Sequence, residues 1–350
     1  MSIAFTKQNT NIAKGVAILF MFLQHLFYST SYPYIKLNIF NLDMWFVLAI
    51  LGKICVSIFV ILSGFGLYKS FSKNENVLDF FKKRFSYIYS NYWFIWLLFV
   101  PLGVYFFGYN LERVYDGNVL KHLLIDLTGT QIYFNFFGVN STWWFISLLI
   151  TLYLFFPLLY KISKFKYFLE ILFLASYSLY FFRFDEFWMY ETYSYFFSFI
   201  AGILIAKYSI FEKISETPNL WKFISIITII VFSALRCYRL LTSTEYVEAG
   251  TQTCFDPFVG FALIIIFYLC HRNNKLFFLL EELGKYSFII FLIHKFLMIY
   301  CPYYVFGLDY PIFILLNFIL VNYALAKFIS FLKDKFDNNL YKLKCFVCRR

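Results

Sequence analysis

Eleven positions separate Lys14 from His25 in the apolar stretch Lys14-Gly-Val-Ala-Ile-Leu-Phe-Met-Phe-Leu-Gln-His25. At about 100° per residue that spacing returns to within roughly 20° of its start. Both side chains are therefore predicted on one helix face, about three turns and ~16 Å apart, with Lys14 at a membrane surface and His25 well inside. A titratable group in hydrocarbon costs free energy, so it faces a bundle interior or a wet cavity and usually has a task there. A neutral imidazole at such a place can serve as a general base; the blander reading is a histidine hydrogen-bonded to a neighbouring helix. His294, at the end of Leu283-Gly-Lys-Tyr-Ser-Phe-Ile-Ile-Phe-Leu-Ile-His294, lies about ten residues from a helix end and at a depth similar to His25. Two histidines at one level are harder to assign to packing than one.

Other reactive or ligand-binding types are scattered along the chain. Lys53 lies inside the second apolar run, where it either snorkels outward or faces the interior. Ser63-Gly64 fits a close helix approach better than a nucleophilic serine, since no acid-base partner adjoins it in sequence. In Phe81-Lys-Lys83-Arg84-Phe-Ser-Tyr-Ile-Tyr89, ammonium and guanidinium groups combine with tyrosines. That is either a topogenic basic flank or a clamp for phosphate. Between residues 108 and 141 a long loop carries Glu112, Asp116, His122 and Asp126, enough to build a lid or an acceptor site. It leads into Trp143-Trp144, an interfacial aromatic pair by default and a stacking platform for a sugar ring if a cleft lies beside it. Asp256, Arg236 and Arg239 receive no role beyond snorkelling or loop pairing.

The elements that must hold these groups follow from composition. The chain is 61% hydrophobic, 25% aromatic and only 15% charged, with a mean hydropathy of +0.69, which excludes an ordinary soluble domain and indicates a polytopic membrane protein. Fifty-one Phe and thirty Tyr predict helix packing through rings more than through Gly and Ala. Apolar runs long enough to span fall at roughly 12–30, 45–68, 86–107, 142–160, 165–183, 192–208, 221–241, 255–271, 283–301 and 309–332. The fold class is thus all-α, a polytopic transmembrane helical bundle of about ten crossings in a single domain over 1–350.

With the amino terminus in the cytoplasm, basic clusters at 69–84, 161–166, 207–222, 272–275 and the tail 333–350 all fall inside, while Lys36, Arg113, Lys121, Arg183, Arg236 and Arg239 fall outside. Both termini are then cytoplasmic, and the net charge of +11 reflects orientation in the bilayer rather than nucleic-acid binding. The first apolar run lacks a small-x-small cleavage pattern and is expected to stay as a helix. Seven cysteines are dispersed, and Cys345-x-x-Cys348 has no nearby histidine, so no metal site is predicted. Cys237 and Cys254 are a candidate outer disulfide, Cys345 and Cys348 free or lipidated thiols.

Several of these segments, in order, resemble the acyltransferase-3 family of integral-membrane acyltransferases that modify bacterial surface polysaccharides. Its first helix carries an arginine, ten residues and a histidine, a spacing matched by Lys14 and His25 with lysine in the arginine place. Phe59 to Phe65 matches a Phe-x-x-x-Ser-Gly-Phe-like helix end. Of an Arg-x-x-Arg-Ile-x-Pro-x-Tyr segment, Arg84, Ile88 and Tyr92 fit, while Tyr87 and Ser90 replace the second arginine and the proline. Trp144-Phe145-Ile146 with Tyr153 and Pro157, and Gly284 to Ser287 followed by Leu292-Ile-His294, complete the similarity, with Phe291 in a tyrosine place.

The resemblance implies a multi-pass protein of the bacterial cytoplasmic membrane that takes acyl-CoA, acetyl-CoA by expectation, from the cytosol and esterifies a carbohydrate hydroxyl at the outer face. It implies His25 and His294 as catalytic residues and Lys14, Lys83 and Arg84 as the donor-phosphate site, with Trp143 and Trp144 on the acceptor side. An oligomer is compatible with the pattern. Two rival readings are a flippase or transporter for a glycan or lipid-linked sugar, which internal inverted repeats would favour, and a diverged member serving as an assembly subunit.

Overall fold

The computed structural model describes residues 4–28, 32–39, 41–115, 117–181, 192–242, 253–271 and 275–347. Asp116, Arg183, Arg272 and Cys348 lie outside the described residues. Among the described residues the only sheet is a two-stranded hairpin, β1 (Asn38–Ile39) against β2 (Leu42–Asp43), antiparallel with Asn38 opposite Asp43.

Most of the rest is helical. In chain order the main elements are α1 (Lys7–Phe27), α2 (Met44–Leu51), α3 (Ile54–Phe71), α4 (Val77–Phe106), α5 (Leu111–Val114), α6 (Val119–Thr128), α7 (Trp144–Ser163) and α8 (Phe168–Ser178). They continue with α9 (Phe196–Lys207), α10 (Ile210–Ile214), α11 (Pro218–Thr242), α12 (Asp256–Cys270), α13 (Lys275–Lys285), α14 (Ser287–Tyr300), α15 (Pro302–Phe306) and α16 (Pro311–Val347). Among the described residues six helical segments are long and apolar enough to cross a membrane: Lys7–Phe27, Met44–Phe71, Val77–Phe106, Ser141–Ser163, Pro218–Arg239 and Pro311–Asn339. Four shorter apolar helices, Phe168–Phe181, Thr192–Lys207, Asp256–Cys270 and Ser287–Tyr300, fall on other predicted runs.

Local chemistry sets where these helices start and break. At the start of α1, the Asn9 amide N–H reaches Thr6 Oγ1 at 3.3 Å and the Thr6 N–H reaches Asn9 Oδ1 at 2.9 Å, satisfying donors that a helix start leaves open. Hydropathy alone started the third run near residue 86, but Asn76 caps α4 by accepting from the Asp79 N–H at 3.1 Å. Lys82, Lys83 and Arg84 therefore lie in the second turn of a helix rather than ahead of one. The second run is interrupted at Gly52-Lys53, between α2 and α3, and the run at 283–301 breaks at Tyr286 between α13 and α14. The last helix continues past the apolar stretch into the basic tail as far as Val347.

Packing uses more than aromatic rings. A Cβ at Gly64 would collide with the Phe199 carbonyl and one at Gly202 with the Ile61 carbonyl, so α3 and α9 cross with their backbones touching. Gly15 against Leu280 and Gly284 against Asn11 join α1 to α13 in the same way. The aromatic expectation holds for the middle of the bundle, where Phe22, Phe99, Trp143 and Phe296 are buried among one another's neighbours. α1, the α2–α3 pair and α7 form the interior, while α11 and α16 keep most of their apolar surface outward, as lipid-facing helices do.

Candidate active site

α1 carries both ends of the site. Lys14 is half-buried and lines a cavity of about 520 Å³ together with Lys83 and Arg84 from α4, Ser63 from α3, Tyr153 from α7 and Ser287 from α14. All three cations proposed from sequence thus converge on one cavity, from two helices. Tyr87, in the place of the second motif arginine, also lines it and stacks on Phe288 with ring centroids 5.5 Å apart. Ser63 donates to the Tyr153 hydroxyl at 3.2 Å. Its hydroxyl has no imidazole beside it, and its neighbour Gly64 does provide a close helix approach.

A second cavity of about 130 Å³ lies against the first and holds His25. Gln24, Lys53, Cys55, Thr142 and Trp144 also line it. Lys53 enters from the break between α2 and α3, so its inward reading is the one realised. Phe59, Phe145 and Phe291 line both cavities and form the wall between them.

His294 does not reach either cavity among the described residues; it is fully buried behind His25, with the two imidazole centroids 4.9 Å apart. Its Nδ1 lies 2.8 Å from the Phe291 carbonyl oxygen, which can only accept. Nδ1 therefore carries the proton of the neutral ring, and Nε2 presents a lone pair with no hydrogen-bond partner. A buried bare acceptor costs free energy, and here it sits beside the His25 imidazole, which lines the second cavity. Two histidines drawn from opposite ends of the sequence thus meet, a contact that their matched depths allowed but the sequence did not show.

The two tryptophans separate. Trp144 is half-buried and faces the His25 cavity, whereas Trp143 is fully buried, packs edge-on against Tyr92 and Phe296, and donates from Nε1 to the Leu292 carbonyl at 3.1 Å. Trp143 has no face open to a ligand in this structure. Asn140 explains why the pair diverges: it caps the turn through Thr142 N–H at 3.0 Å and also donates to Leu292 O at 3.3 Å, fixing this corner on α14.

The long loop, whose carboxylates offered an acceptor site, is instead pinned through one of them. Asp126 is fully buried, its Oδ2 accepts from the Tyr115 hydroxyl at 2.8 Å and from Val139 N–H at 3.2 Å, and its backbone carbonyl accepts from Tyr92 at 2.5 Å. Burial pushes its carboxyl up to about 6. His122 is held at 2.8 Å by the Tyr115 carbonyl. Arg236 and Asp256 form a buried ion pair, and Arg236 Nε donates to Ile50 O at 3.0 Å, just before the α2–α3 break. No disulfide joins Cys237 to Cys254.

The sequence comparisons give the family. The model of an acyltransferase domain matches residues 8–331, a span that contains every residue of both cavities. The chain belongs to the acyltransferase-3 family. It is 32% identical over 118 residues to acyltransferase MdmB of Streptomyces mycarofaciens, a stretch covering 33% of this chain and 30% of that relative. No solved structure matches. With the family resemblance to group Lys14, Lys83 and Arg84, reasoning on residue types singled out the two histidines and three cations that line or adjoin these cavities. It missed the phenylalanine wall, although Phe59, Phe145 and Phe291 each fall in a segment that carried the resemblance, because a ring in an apolar helix is indistinguishable from core until the helices are assembled.

Proposed function

We propose that this acyltransferase moves an acyl group, acetyl by preference, from cytosolic acyl-CoA to a hydroxyl of a surface carbohydrate at the outer face of the bacterial cytoplasmic membrane. Ten crossings with both termini in the cytoplasm, the four shorter apolar helices included, fit the distribution of Lys and Arg. The observation that carries the reading is the pair of adjoining cavities, one bearing Lys14, Lys83 and Arg84 and the next bearing His25. An extended pantetheine arm of roughly 15–20 Å spans the ~16 Å rise from Lys14 to His25 along α1. The basic group binds the nucleotide phosphates, with the loss of the bidentate fork at Lys14 offset by Arg84.

In the reaction His25 removes the acceptor hydroxyl proton while that oxygen attacks the thioester carbonyl. The carbon–sulfur bond breaks, the ester forms, and the thiol leaves with the proton returned by His25. While His25 is cationic, its second N–H can be accepted by the bare Nε2 of His294, whose tautomer the Phe291 carbonyl fixes. His294 is in this sense a positioning residue. Trp144 offers its ring to the acceptor sugar beside His25.

The test is label transfer from cytosol-side acetyl-CoA to crude surface glycan in vesicles containing wild type or His25→Ala at equal abundance. Label with the wild type alone is the expected result. Equal labelling removes His25 from the mechanism, and no labelling by the wild type, together with no binding of acyl-CoA, refutes the acyltransferase reading and favours a glycan transporter.

A further inference from the structure

Lys295 follows His294 on α14 and takes no part in the mechanism above. The residues around it in the helix, Phe291 to His294, Phe296 and Met298, are buried, whereas Lys295 is half-buried. It stands seven residues after Phe288 and four after Phe291, spacings that put all three on one helix face. Phe288 lines the basic cavity and Phe291 lines both cavities. That face therefore runs from the basic cavity past the His25 cavity to Lys295, one turn further on. A lysine inside a membrane commonly sends its ammonium to the surface. Here the charge stays close enough to act electrostatically on both His25 and His294.

Among the described residues no hydrogen bond or ion pair holds Lys295, and no carboxylate acts on it. Nor does a described carboxylate line either cavity, while Lys53 lines the one that holds His25. A buried cation without a counter-charge costs free energy, and this one also works against the base. Taking the acceptor's proton makes His25 an imidazolium, and a like charge nearby opposes that. An anion on Lys295 cancels the opposition. The donor's phosphates, bound in the basic cavity, lie about three helical turns from the level of His25. The acceptor is left to bring the negative charge.

Resting on the acyltransferase reading, we infer that Lys295 binds an anionic group of the acceptor, a carboxylate or a phosphate, while the hydroxyl to be acylated lies at His25. The acceptor class is then an acidic carbohydrate that carries its charge near the acylated position. Such an acceptor completes the base as it binds. A neutral sugar, or water, in the same cavity meets a His25 still opposed by the ammonium, so the thioester is protected from hydrolysis until the right acceptor arrives.

The experiment compares initial rates of label transfer from acetyl-CoA to crude surface glycan that is native, carboxyl-reduced with carbodiimide and borohydride, or dephosphorylated with aqueous hydrogen fluoride. Rates are taken as ratios within each vesicle preparation, so that the folded fraction cancels. Variants are Lys295→Met and Lys295→Gln, which remove the charge, and Lys295→Arg, which keeps it. The wild type should prefer native glycan over one treated form by about 10-fold or more, the low end for a hydrogen bond to a charged partner. The form that loses transfer identifies the anion. Both neutral variants should bring that ratio close to one, and Lys295→Arg should preserve it. A wild type that uses all three glycans alike overturns the anion site while leaving the acyltransferase intact. So do neutral variants whose rates fall equally on every form, which would place Lys295 at the reacting carbonyl or in the fold instead. A wild type that neither binds acetyl-CoA nor labels any glycan overturns the acyltransferase reading, and this inference with it.

Discussion

Replacing Arg84 with Gln tests whether the basic cavity binds the donor's phosphates. Arg84 is half-buried on the wall of that cavity with Lys14, about three helical turns from the level of His25. A hydrogen bond to a charged partner contributes about 1.5–3 kcal/mol, so removing the guanidinium should raise KM for acetyl-CoA by about 10- to 150-fold. Because the phosphate end and the reacting carbonyl are separated by the length of the pantetheine arm, the loss is one of uniform binding and kcat should change little. The assay is steady-state transfer with two donors, acetyl-CoA and acetyl-pantetheine, the second lacking the nucleotide phosphates. The variant should match the wild type on acetyl-pantetheine and fall behind only on acetyl-CoA. An equal loss on both donors would mean that Arg84 supports the fold or the acyl end, and the phosphate assignment would fail. Lys14→Arg, which restores the planar fork, should lower KM for acetyl-CoA or leave it unchanged.

Two further outcomes follow from the same geometry. The buried Asp126 carboxyl, raised from 3.8 to about 6, holds a proton in the folded state at pH values where the unfolded chain has released it. Between about pH 4 and pH 6 the folded state therefore binds more protons, and the wild type should lose about 3 kcal/mol of stability as pH rises through that window. Asp126→Asn should flatten the dependence of the unfolding midpoint in detergent over that range; parallel curves for the two proteins would refute the assignment. The tryptophans should separate functionally: Trp143→Phe should cost about 1 kcal/mol of stability for its lost hydrogen bond with the acceptor KM unchanged. Trp144→Ala should raise the acceptor KM without changing that for acetyl-CoA, and a reversed pattern would return Trp143 to the binding site.

The site's reactive residues were legible because each breaks a local rule. A histidine at mid-depth in a hydrocarbon-length run is costly, and the matched depths of His25 and His294 already placed them at one level. The convergence of Lys14 with Lys83 and Arg84 was carried by the family resemblance, since a basic flank satisfies topology equally well. Helix breaks were not legible. Gly52 and Tyr286 interrupt runs that hydropathy reads as continuous, and neither involves proline. The role of Asp126 was hidden for a different reason: a carboxylate in a polar loop reads as solvent-exposed, and only the return of Val139 over it converts it into a pin.

These interruptions explain why the bundle has cavities where it does. Continuous helices with large apolar faces close-pack and leave little space larger than a water. At this site two helices are instead restarted, and a third begins, beside the candidate groups. Lys53 and Cys55 flank the start of α3, Thr142 and Trp144 flank the start of α7, and Ser287 opens α14. Both cavities lie beside α1, which runs unbroken from Lys7 to Phe27. The uninterrupted helix carries Lys14 and His25, the two groups whose separation the proposed donor would span, while the other helices supply the walls. On the proposed reading a break in α1 between those residues would alter the reach from phosphate to carbonyl, which favours regularity there and leaves the surrounding helices free to be irregular.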